Sequence, residues 1–105
     1  MLRIVVQKVG ERELLCPVVF CDFCGRRIEN AKEGNYEYRG EDALRLKGAE
    51  VKFVHKDCCR EFETAHGERV IWYWDELQAF LVFLGNNLSL DWEHAREQAE
   101  RAASL

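Results

Sequence analysis

Cys21-Asp22-Phe23-Cys24 and, thirty residues further on, His55-Lys56-Asp57-Cys58 decide how this chain is read. A C-x2-C turn brings two sulfurs within reach of one ion, and a second pair closes a tetrahedral shell with Zn–S at about 2.3 Å and Zn–N at about 2.0 Å. Cys21, Cys24, His55 and Cys58 are therefore the expected ligands of a single Zn2+. Four protein donors leave no position for water or substrate, which marks a structural site and not a catalytic one. Gly25 is free to take positive φ, so the turn can fold back and aim its amide N–H groups at the cysteine sulfurs. Three thiolates and a neutral imidazole around a divalent cation leave one negative charge, which Arg26, Arg27 and Lys56 can offset.

Two details of the donor set stay open at this level. Cys59 competes with Cys58 for its position, although His-x2-Cys is the commoner spacing. Cys16, just before Pro17 on an apparent strand, reads as a buried thiol but remains a further candidate. A redox C-x2-C motif follows a strand and opens a helix, whereas Cys24 leads into Gly25-Arg26-Arg27 and a polar loop.

The run Cys21-Asp22-Phe23-Cys24-Gly25-Arg26-Arg27-Ile28, with His55-Lys56-Asp57-Cys58 at the mouth of a helix, resembles a treble-clef zinc finger, and within that class the first zinc module of a LIM domain. The resemblance covers residues 16–66 and a single unit. The spacer is longer than LIM modules have, and Glu61 stands where a LIM domain begins its second C-x2-C. What the resemblance implies is a knuckle, a β-hairpin and a helix gathered around structural zinc, with a binding or scaffolding role; likeness of fold does not by itself fix function.

A length of 105 residues predicts one α+β domain spanning 1–105, with strands and the finger unit in 1–66 and an aromatic strand and two helices in 67–105. A metal would reinforce the modest core that such a chain can build. The odd count of five cysteines, and the lack of a leader pattern in Met1-Leu2-Arg3-Ile4-Val5-Val6, predict a reducing, cytoplasmic setting. The longest apolar run, residues 79–84, is far short of the roughly 20 residues a membrane span takes. Charge is unevenly divided: residues 1–60 hold 12 Lys and Arg against 10 Asp and Glu, residues 61–105 hold 3 against 9.

Alternation and turn residues predict a hairpin of strands 2–9 and 13–20, turned at Gly10-Glu11-Arg12, with Pro17 confining the second strand to an edge. Short strands are expected at 35–39, 43–47 and 51–55, a short helix at 60–66, and a strand at Val70-Ile71-Trp72-Tyr73-Trp74. Asp75 with Gln78 predicts a capping box opening a helix that ends at Gly85-Asn86. Leu77, Phe80, Leu81, Val82, Phe83 and Leu84 make that helix apolar nearly all round, so burial in the centre or at a subunit contact is expected. Ser89 or Asp91 caps a last helix with a thin stripe of Trp92, Ala95, Ala99 and Ala102.

Three functional classes follow. The first is a protein-interaction or assembly module in which Trp72, Tyr73, Trp74 and the C-terminal helices make contact with a partner, the simplest being a second copy in a homodimer through residues 76–105. The second is nucleic-acid binding by the finger, where Arg26, Arg27, Lys32, Arg39, Arg45, Lys47, Lys52 and Lys56 interleave with Phe23, Tyr36, Tyr38 and Phe53. Against it, a similar number of carboxylates shares the same segment, and Glu93, Glu97 and Glu100 would make the last helix repel phosphate. The third is catalysis. His66-Gly67-Glu68 resembles the H-x-E of zinc deaminases, but there the motif precedes its cysteine pair, and here it follows. With no phosphate loop and no nucleophile elbow, a non-enzyme is expected.

Overall fold

The computed structural model describes residues 1–45 and 48–103. It is a small α+β structure. An antiparallel hairpin comes first, β1 (Leu2–Val9) and β2 (Arg12–Val19), turned at Gly10 with φ of 66°. The second sheet has the order β4-β3-β5, with β3 (Gly34–Arg39) in the middle and β4 (Lys52–His55) and β5 (Trp72–Glu76) antiparallel on either side. Helix α1 (Gly40–Leu44) leaves β3, α2 (Cys59–Ala65) follows β4, and α3 (Leu77–Asn87) and α4 (Trp92–Ala103) close the chain. No described helix is long and apolar enough to cross a membrane.

Period-two side chains on the second sheet serve two layers. On one face Tyr36 and Phe53 meet Phe80 of α3, with ring centroids 5.1 and 5.2 Å apart. On the other, Phe62 of α2 lies 4.9 Å from the Trp72 ring, and His66, just after α2, packs at an angle against both. Cys21, Ile28, Phe53, Val54, Phe62 and Leu77 form the buried core, so the sheet's center and the cysteine knuckle share one apolar cluster. Gly34 lies where Ile28 and Leu77 press on the sheet; a Cβ there would stand 3.0 Å from Leu77.

Several expectations are corrected. Residues 43–45 do not form a strand: Ala43 and Leu44 belong to α1, and Leu46 and Lys47 lie outside the described residues. The aromatic strand is shifted by two residues because its ladder with β3 runs to Asn35↔Glu76, which draws Asp75 and Glu76 into the sheet. Asp75 therefore caps no helix; its Oδ1 accepts the N–H of Glu76, and Glu76 is the N-cap of α3 without a side-chain cap. Gly85 does not end α3. It lies inside the helix, two residues before its end, with the Trp92 ring packed over it, and an added Cβ would stand 2.5 Å from that ring. Of the two candidate caps of α4, Asp91 serves, accepting the His94 N–H at 3.0 Å. Nor is α3 centrally buried: Leu81, Val82, Phe83 and Leu84 are all exposed.

Glu37, in the middle of β3, is wholly buried, with neither carboxylate oxygen in a hydrogen bond of full geometry and with Glu63 and Cys59 as its polar neighbours. Burial lifts its carboxyl to about 7, and the neighbouring Glu63 carboxylate adds to the rise. A folded-state value above the unfolded one means that the native protein holds this proton more tightly. The associated stability is present at low pH and is lost as pH rises through about 7. A shift of this size corresponds to roughly 3 kcal/mol. Glu37→Gln, which keeps the shape without the charge, is expected to stabilise the protein by roughly 2–3 kcal/mol near pH 8 and to change little near pH 5. Urea unfolding of both proteins across that range checks this.

Candidate metal centre

Two separate pieces of chain build the centre. The first is the knuckle after β2, where Phe20 bridges to Arg27 and the Cys21 N–H donates to the Arg26 carbonyl at 2.8 Å. Gly25 closes this turn with φ of 75°, its N–H on the Cys21 carbonyl at 3.0 Å, the role its sequence position suggests. The second piece is the end of β4 and the start of α2, which supply His55 and Cys58; Cys58 is the N-cap of α2.

Cys21 Sγ, Cys24 Sγ, Cys58 Sγ and a ring nitrogen of His55 all lie within 4.8 Å of one another, and among the described residues no other group of His, Cys, Asp and Glu converges in this way. Cys24 Sγ stands 3.3 Å from His55 Nδ1. The edge of a tetrahedron with arms of about 2.3 and 2.0 Å is roughly 3.5 Å long, so the spacing suits a bound divalent ion. The donor chemistry suits one too. Three backbone amides, those of Phe23, Cys24 and His55, point at Cys21 Sγ from 3.4, 3.5 and 3.3 Å, the arrangement that stabilises a metal-bound thiolate.

Electrostatics divides the sulfurs. Burial disfavours the Cys24 thiolate, yet hydrogen bonds from Arg26, Cys21 and His55 outweigh it and bring this thiol down to about 6. Burial, with Cys21 and Cys24 at close range, pushes Cys58 up to about 12. Four such groups crowded together favour a cation between them, since only then can all the sulfurs ionise at once. Arg26 answers the same negative charge: its guanidinium is raised by the hydrogen bond to Cys24.

Cys59 takes another direction. Its Sγ accepts from Asn35 Nδ2 at 3.3 Å and lies 3.6 Å from the His55 carbonyl, on the β3 side of α2. Burial raises this thiol to about 11. Cys16 sits on β2 opposite Val5, outside the converging group. His66 Nδ1 donates to the Phe62 carbonyl, 2.8 Å away, and His94 faces Glu97; neither approaches the centre.

Sequence reasoning missed Asp22. Its Oδ2 accepts the buried Phe53 N–H at 2.8 Å and meets the Met1 ammonium at 3.1 Å, while its own N–H donates to the Phe53 carbonyl at 2.7 Å. This clamp fixes the knuckle to β4 beside the donors. Nothing in the C-x2-C spacing announces it, because the partner is a backbone amide more than thirty residues away. A cleft of about 680 Å³ also opens beside the centre, with Arg26, Arg27, Lys32 and Lys56 on its walls together with Glu29, Glu33 and Asp57. Lys56 is engaged with Glu76 at 2.6 Å.

Compared with protein-family models, with curated proteins and with solved structures, the chain matches none.

Asp22→Ala leaves all four donors in place but strands the Phe53 amide. It is expected to lower stability by about 1–3 kcal/mol with metal content unchanged, as measured by chemical denaturation alongside elemental analysis.

Proposed function

We propose that this chain is a protein-interaction module held in shape by one structural Zn2+, and that it catalyses no reaction. The observation that carries the reading is the convergence of Cys21, Cys24, His55 and Cys58 from two chain segments, with three backbone amides already turned to Cys21 Sγ. Three sulfurs and one imidazole favour zinc over harder cations, which prefer oxygen. When bound, the ion supplies a cross-link between the knuckle and the β4–α2 junction, with no open position for a substrate.

The order of parts supports a treble-clef reading: a knuckle with a left-handed glycine, a strand that delivers His55, and a helix whose N-cap is Cys58. An interaction role is supported by the apolar side chains left outside the core, among them Tyr73 and Trp74 on β5 and the exposed residues of α3. Trp and Tyr are favoured anchors of protein interfaces. Nucleic-acid binding is the second reading, favoured by Arg26, Arg27 and Lys32 around the cleft and opposed by the three carboxylates that share it. Retention on neither DNA nor RNA at low salt, where phosphate attraction is greatest, removes that second reading.

Elemental analysis is expected to find one zinc per chain. Cys21→Ser, or removal of the metal by a chelator, is expected to abolish cooperative unfolding, because binding free energy at such a site is folding free energy. A metal-stripped protein with an unchanged melting curve would sink the proposal.

A further inference from the structure

The β1–β2 hairpin is an arm with one face unclaimed. Its register sets Leu2 opposite Val19, Ile4 opposite Pro17 and Val6 opposite Leu15, so these side chains share one face. Leu2, Ile4, Val6 and Leu15 are between 60% and 74% exposed. From this face only Val19, at the foot of the arm, packs against the core; on the reverse face Val18 is buried and Gln7 Oε1 accepts from Arg27 at 2.9 Å. A two-stranded sheet with an apolar face in water is marginal at best.

A second apolar stretch lies on α3, where Leu81, Val82, Phe83 and Leu84 are between 44% and 54% exposed, Val82 and Phe83 on the side turned away from buried Leu77. The two surfaces approach each other at the foot of the arm, where Leu2, Val51 and Phe80 line a cleft of about 400 Å³. Beyond that point Ile4, Val6 and Leu15 stand clear, so the chain's own helix does not cover them.

The size of the uncovered surface says what fits. A folded monomer of 12.3 kDa exposes about 6,100 Å², whereas this chain exposes 8403 Å². Its radius of gyration is 15.9 Å, against about 13 Å for a compact chain of this length. The excess is about 2,300 Å² per chain, so a pair that hid most of it would fall among obligate homodimers, at about 2,000–5,000 Å² in total.

Resting on the protein-interaction reading above, we propose that the partner is a second copy of this chain, paired about a two-fold axis so that the arm of each lies over α3 of the other. Sheet on helix is a stable layer pairing, and one axis covers both apolar surfaces twice. Coverage selects this arrangement over arm against arm, which would leave α3 bare.

Native mass spectrometry and sedimentation equilibrium of the zinc-loaded chain test this. The expected species holds two chains and two zinc ions. Ile4→Lys on the arm and, separately, Phe83→Lys on α3 change side chains exposed in the single chain, so each variant should keep its zinc and its circular dichroism. Each should raise the dimer dissociation constant by at least about a hundredfold, because a change at a two-fold interface counts twice. A photo-crosslinking side chain at position 4, in mixed isotopically light and heavy protein, should join residues 77–88 of the other chain. A zinc-loaded monomer at tens of micromolar, a dimer indifferent to both substitutions, or arm-to-arm cross-links would each overturn the proposal. So would a zinc-loaded monomer that pairs instead with an unrelated protein, which leaves the interaction reading standing. A wild-type chain without zinc fails that earlier reading, whatever its mass.

Discussion

Everything in this fold hangs on the meeting of the Cys21 sulfur with the end of β4. Amides from the knuckle and from His55, distant in the chain, converge on that one atom, and Asp22 repeats the tie through Phe53 in both directions. The buried cluster around Cys21, Phe53, Val54 and Phe62 is small for the length of the chain. Closing a loop of about thirty residues costs several kcal/mol of chain entropy, more than a core of this size spares easily. A metal ion held by the four converging donors would cross-link the junction and offset that loss where it arises. The same cross-link would hold α2 against the sheet, since Cys58 is the N-cap of α2 and Phe62 and His66 follow it.

The elements nearest this junction were the ones legible in the sequence. Residues 21–24 and 55–58 carry their own spacing, and the strands on either side of them alternate cleanly. The hairpin 2–9 is read correctly because β-branched residues and a glycine turn are local signals. Misreadings cluster where a tertiary contact overrides a local preference. Asp75 and Glu76 are poor strand formers, yet the free edge of β3 recruits them. Gly85 is a strong stop signal, yet Trp92 needs the space that only glycine leaves. Asp22 and Glu37 could not be read at all: their meaning comes from a distant amide and from a neighbouring carboxylate on another element.

Glu37 and the centre make opposite demands on pH. Thiols that take up a metal must lose their protons, so acid would weaken a metal held at this centre. The carboxyl in the sheet is comfortable only with its proton, so alkali weakens it. The two lie on adjoining parts of one small core, with Cys59 and Asn35 between them. The range in which both are satisfied is therefore narrower than either alone would set.

The three tryptophans occupy three different settings: Trp72 edge-on to Phe62 and His66, Trp74 open to solvent, and Trp92 laid across Gly85. Each indole thus has its own polarity and its own quenchers, so the intrinsic emission of the protein separates into signals from the sheet, the surface and the helical corner. Single-tryptophan versions would let the loosening of each region be watched without attaching a dye.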